Sequence, residues 1–167
     1  MGQTLFTNVK IFDGNGKRSY AGEVLLQGNL VKEVAKGPRK IKAQGADVID
    51  AAGATLMPGL VEPHSHVCYT NCATLAEIGR TPVEEHMVIA LENARLMLDH
   101  GFTSLFSAAG VGSPKLRLEP VLRDVINAGR FPGPRIKAAS PEITATGGLG
   151  DERQLHMYHE SVGYIAD

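Results

Sequence analysis

Two imidazoles two residues apart, His64 and His66, end the run Met57-Pro58-Gly59-Leu60-Val61-Glu62-Pro63. On a β-strand, residues i and i+2 share a face with Cα atoms roughly 6.5–7 Å apart, so both rings can converge on one ion at about 2.0–2.1 Å per bond. A helix would need a spacing of three or four. A divalent metal held this way lowers the pKa of bound water toward about 7 and polarises a carbonyl or phosphoryl oxygen, which is the chemistry of metal-assisted hydrolysis. A short His-x-His pair is also met as ordinary solvated or core residues, and its surroundings separate the two readings. Here Ala54 to Val61 supplies an apolar strand entry, and Pro58-Gly59 lets the backbone bend just before the histidines.

The elements that must position the pair are legible on either side of it. Upstream lie short strand-like runs, Asn8 to Phe12, Glu23 to Leu26, Leu30 to Val34 and Asp47 to Asp50. The turns Asp13-Gly14-Asn15-Gly16 and Gly28-Asn29 have hairpin chemistry, because Asn and Gly tolerate positive φ. Residues 1–56 therefore read as a small β-sandwich. Downstream the period changes from two to 3.6. Val83, Met87, Ala90, Leu91, Ala94, Met97 and Leu98 form one apolar stripe. Thr81 as N-cap, Pro82 at the first helical position and Glu84 closing a capping box would start that helix, and His100-Gly101 would end it. A second strand is expected over Phe102 to Ala108, then a helix over Pro114 to Arg130 with Val121, Leu122, Val125 and Ile126 inward, and a third strand over Arg135 to Ser140. This order is βαβαβ with a parallel sheet.

With these residues in place, the chain resembles the amidohydrolase superfamily, whose first barrel strand carries a Pro-Gly-Leu/Phe-Ile/Val-Asp-x-His-x-His signature. The resemblance runs along the whole chain in the family's usual order. Gly101-Phe102-Thr103-Ser104, Asn127 to Arg135 and Ile143 to Asp151 are similar to the imidazolonepropionase/prolidase-like branch, which includes Xaa-Pro dipeptidases, ochratoxin-type amidases and hydrolases of urea and thiocarbamate pesticides. The resemblance implies an α/β fold in which a small β-sandwich (1–56) precedes the first strands and helices of a (β/α)₈ TIM barrel (57–167). It implies His64 and His66 as metal ligands at the barrel's active-site face. It implies one or two divalent ions, with zinc the family's commonest occupant and cobalt or manganese compatible with the same ligands. In the family, later strands add a carboxylated lysine bridging two metals, two further histidines and an aspartate base; none is assignable here.

Two departures bear on chemistry. Glu62 stands where the signature has Asp, lengthening the reach of a carboxylate with a supporting role, and Leu149 stands where the branch commonly has histidine in Thr-Gly-Gly-His-Gly. An apolar substrate against Leu149 becomes more plausible than a dipeptide. Tyr69 and Asn71 follow His66 in the loop that opens onto the active-site face, and they are the other candidates for substrate contact. Thr146 to Gly150 lacks the Gly-Lys-Ser/Thr ending of a phosphate loop and reads as a tight active-site turn, with Asp151 able to cap or line it.

Other reactive types have plainer readings. Cys68 and Cys72, four apart just after the histidines, could complete a His₂Cys₂ zinc knuckle, but the strand–helix context predicts a barrel loop, so they read as free thiols, Cys68 near the pocket mouth. His86 reads as a surface residue and His100 as a helix C-terminal group favourable to the macrodipole, while His156 and His159, three apart, are candidates for a lid or pocket wall.

A (β/α)₈ barrel typically takes about 250 residues, whereas this chain has 167 and presents only three barrel strands. An open parallel sheet exposes edges and apolar surface. The expectation is therefore a chain inactive alone and completed by a second polypeptide segment; an autonomous α/β domain is the other possibility. Composition adds bounds: 43% hydrophobic, 21% charged and a net charge of −1 offer no electrostatic case for nucleic acid or membrane. Two cysteines make no disulfide scaffold, and the N-terminus lacks an h-region, which points to the reducing cytoplasm. Two function classes stand: a metal-dependent hydrolase of C–N bonds, acting on a small-molecule substrate and as a homo-oligomer like its superfamily, or a non-catalytic binding or structural module that keeps the fold.

Overall fold

The computed structural model describes residues 2–69, 73, 75–78, 81–108, 117–139, 142–148 and 163–165. The chain divides into two compact units, Met1–Pro58 and Gly59–Asp167.

In the first unit, β1 (Gln3–Ile11), β2 (Tyr20–Gln27), β3 (Leu30–Lys36), β4 (Asp47–Asp50) and β5 (Thr55–Leu56) form one sheet in the order β3-β2-β1-β4, with β5 also on β1. β1, β2 and β3 pair antiparallel, and β4 and β5 run parallel to β1. β1 starts well before the expected Asn8. Its pairing with β2 shifts between Phe6 and Val9, and Asn8 sits there at a φ of 52°. A bulge of this kind moves following residues to the other face. Leu5 thus packs with Leu25, Ala35 and Ile41, whereas Val9 and Ile11 pack with Val24. Val24 and Leu25 are neighbours on a strand and point oppositely, so both faces of the sheet are covered. The second layer expected for a sandwich is not a sheet among the described residues. Ile41, Ala43 and Ala46, from a segment without strand pairing, cover one face instead. Buried Glu23 anchors that segment by accepting hydrogen bonds from Lys40 Nζ at 2.8 Å and the Ile41 N–H at 2.9 Å.

The second unit contains β6 (Leu60–Ser65), α1 (Leu75–Ile78), α2 (Val83–Asp99), β7 (Phe102–Ser107), α3 (Leu118–Asn127), β8 (Arg135–Lys137), β9 (Glu142–Thr144) and β10 (Gly163–Ile165). β6, β7 and β8 form a parallel sheet in sequence order, as strand–helix alternation requires, and β9 pairs with β10. Leu105 and Ile136 turn one face of the sheet toward Ala90 and Ala94 of α2 and Leu118 and Leu122 of α3, where the core lies. Two fully buried alanines one turn apart let α2 approach closely. Val61 of β6 and Phe106 of β7 remain exposed at 64% and 41%. Among the described residues β6 and β8 each pair on one side only.

Several local expectations are corrected. No side chain caps α2: Pro82 takes the N-cap position, and the Thr81 hydroxyl is turned back to the Glu77 carbonyl at 3.5 Å, so the capping box does not form. The other end is as expected, with His100 as C-cap and Gly101 at a φ of 89°. α3 begins at Leu118; residues 109–116, including expected helix positions from Pro114, lie outside the described residues. Val121 is solvent-facing because α3 turns Leu118, Glu119 and Leu122 inward. No described helix is long and apolar enough to cross a membrane.

Candidate metal centre

The end of β6 is stitched to the end of β7. The Ala108 N–H donates to the Ser65 carbonyl at 2.8 Å, and the Ser65 hydroxyl donates to the Phe106 carbonyl at 3.0 Å. Between Glu62 and Ser65 the ladder slips. Glu62 Oε1 takes up the His64 N–H there at 3.0 Å. Two imidazoles that ligate one tetrahedral ion through nitrogen place their ring centroids about 5 Å apart. The rings of His64 and His66 are 5.3 Å apart at an interplanar angle of 78°. Their donor type and spacing fit a divalent ion, and among the described residues no third His, Cys, Asp or Glu joins them.

Tyr69 is brought to the pair. Its ring lies 4.4 Å from that of His66, tilted by 31°, and its N–H donates to the His66 carbonyl at 2.9 Å. The loop between is held from α2: Asn93 Nδ2 donates to the carbonyls of Val67 and Tyr69, each at 3.0 Å, and His86 Nε2 to that of Cys68. His86 is therefore not a surface residue but is 2% exposed. Cys68 is likewise not at a pocket mouth. It is a free thiol in the core, and burial, with the Glu119 carboxylate a lesser cause, pushes its ionisation up. His100 Nδ1 reaches the Leu96 carbonyl at 2.9 Å, in keeping with its reading as a helix-terminal group.

Glu119 escaped sequence reasoning. It is 1% exposed, accepts from the Ser107 hydroxyl at 2.5 Å and from the Ala139 N–H at 3.1 Å, and so ties the ends of β7 and β8 to the first turn of α3. Burial pushes its carboxyl above the usual range, against the lowering effect of those two bonds. A signal was present: Glu119 precedes Leu122 by three residues and Ile126 by seven, which is the spacing of the inward stripe. Asn71, Cys72, Leu149, Asp151, His156 and His159 lie outside the described residues. The turn before Leu149 is tight, with Gly147 at a φ of 73° and the Gly148 N–H donating to the Ala145 carbonyl at 2.9 Å.

No protein-family profile matches the chain. Curated relatives do. An imidazolonepropionase of Treponema denticola is 34% identical over 74 residues, covering 40% of this chain and 18% of that protein. A dihydroorotase of Leifsonia xyli subsp. xyli is 30% identical over 135 residues, covering 81% and 27%. Among solved structures, an amidohydrolase superposes with a TM-score of 0.82 at 28% identity, covering 99% of this chain and 41% of the other. A Xaa-Pro dipeptidase with bound methionine gives 0.77 at 27% identity, covering 95% and 39%. The chain belongs to the metal-dependent amidohydrolase superfamily. It spans from 18% to 41% of the length of these four proteins.

Proposed function

We propose that this chain supplies the His64–His66 half of a binuclear divalent-metal site in an enzyme that hydrolyses C–N bonds of the amide, urea, carbamate or thiocarbamate-like type. The observation that carries the reading is the 5.3 Å separation of the two rings at the C-terminal end of the first parallel strand. Two of the relatives are named amidohydrolase and dihydroorotase, and a third is a dipeptidase, which supports the bond class. When bound, the ion, zinc by preference with cobalt or manganese as alternatives, activates water and polarises the scissile carbonyl. The protein's part is to aim the two imidazoles: Glu62 fixes the His64 backbone and Tyr69 packs on His66. Tyr69, Asn71 and Leu149 are proposed to contact the substrate.

We place the parallel sheet in a TIM barrel whose further strands pair with the open edges of β6 and β8 and cover Val61 and Phe106. The site is active only once those strands complete it, and the assembled enzyme is a homo-oligomer. The free thiol of Cys68 suits the reducing cytoplasm. The test is metal analysis with native mass spectrometry of the wild type and the His66→Ala variant, followed by hydrolysis assays on amides, ureas and carbamates. Metal retained by the wild type and lost by the variant is expected. Equal metal content in the two would overturn the ligand assignment, and an absence of hydrolysis by the metal-loaded wild type once the barrel is complete would leave the non-catalytic module.

A further inference from the structure

The three carbonyls that follow His66 are all held by side chains of α2. Asn93 spends both N–H groups of its amide on the Val67 and Tyr69 carbonyls, and His86 takes the Cys68 carbonyl between them. His86 and Asn93 are seven residues apart, two turns along one helical face, the face on which Ala90 and Ala94 enter the core. Residues 67–69 have no strand pairing, and Val67 and Cys68 are buried, so this grip replaces a ladder that the loop lacks. The same loop delivers Tyr69 to His66, through both the ring contact and the N–H to carbonyl bond.

We infer that Asn93, assisted by His86, is a positioning residue of the metal centre: it fixes Val67–Tyr69 and thereby the orientation of the His66 imidazole. The inference rests on the metal reading given above. Outer groups that orient a ligand typically change metal affinity by about 10- to 100-fold when removed. Asn93 acts one step further out, through the backbone on both sides of Cys68, and the lower end of that range is expected.

The experiment uses cobalt(II) titration of the whole chain, with hydrogen exchange of the Tyr69 amide as a second readout. Asn93→Leu keeps the branched shape and the number of side-chain heavy atoms and removes both donors. Leu91→Ala, on the same helix and packed against the core without a bond to the loop, is the control for general destabilisation. Asn93→Leu is expected to weaken cobalt binding by about 10-fold and to speed Tyr69 exchange, while Leu91→Ala lowers the melting temperature and leaves both readouts near wild type. Equal effects from the two variants, or no effect from Asn93→Leu, would overturn the inference. Asn93→Ser, which keeps one donor, is read the same way if Asn93→Leu does not fold. If wild type binds cobalt no better than His66→Ala, the metal reading fails, and Tyr69 exchange alone then decides the positioning role.

Discussion

Ser107, the last residue of β7, donates its hydroxyl to Glu119 Oε1 at 2.5 Å, and the other oxygen of that carboxylate takes the Ala139 N–H just beyond β8. One buried acid thus holds the ends of two neighbouring strands, and burial raises its ionisation above the usual value of 4.5. A raised folded-state value means that the folded protein binds the proton more tightly than the unfolded chain does. The stabilising contribution is complete below the unfolded value and declines as pH rises through the folded one. Stability of the second unit should therefore fall from about pH 4.5 upward through this ionisation. Glu119→Gln, which copies the protonated form, should flatten that part of the profile, as urea midpoints across pH 4–8 will show; a wild-type slope retained in the variant would dissociate it from Glu119.

Glu62, half-buried on β6, accepts the N–H of the exposed His64. A single bond of this kind contributes about 0.5–1.5 kcal/mol. Glu62→Gln keeps an acceptor and should leave metal affinity within about threefold of wild type, whereas Glu62→Ala should lose up to about tenfold. Calorimetric zinc titration of both variants distinguishes a backbone support from a charge effect, since a charge effect would make Gln as damaging as Ala.

Gly59 has a steric task beyond bending the chain ahead of β6. A Cβ there would lie 2.1 Å from Thr103 Oγ1 and 2.7 Å from Thr103 Cβ. Gly59→Ala should cost about 1–3 kcal/mol through overpacking. Thr103→Ala removes the nearest atoms but not the β-carbon, so the double variant should recover only part of the loss in a thermal melt.

Leu122 is fully buried between α3 and the sheet, while its neighbour Val121 is 44% exposed. Leu122→Ala should cost about 2–5 kcal/mol, and Val121→Ala within about 0.5 kcal/mol. Chemical denaturation measures both, and similar losses would contradict the orientation of α3.

Local pattern carried much of this protein. The spacing of His64 and His66 is a property of three consecutive residues, and the alternation of strand and helix after them is a property of periods of two and 3.6, so both could be read directly. The stop at Gly101 is equally local, because only the left-handed backbone of one residue is involved. The bulge at Asn8 and the absent cap at Thr81 were not legible, since each depends on what the segment meets: β2 in one case and the Glu77 carbonyl in the other.

By itself, then, the sequence determined the two imidazoles, the order of parallel strands that carries them and the superfamily to which they point. Only the tertiary structure decided that His86, Cys68 and Glu119 lie inside, that α3 turns Leu122 rather than Val121 to the sheet, and that Asn93 reaches back to the loop after His66. The physical reason is that a polar side chain is buried only where distant backbone groups wait to bond with it, and those partners come into range when α2 and α3 dock on the sheet.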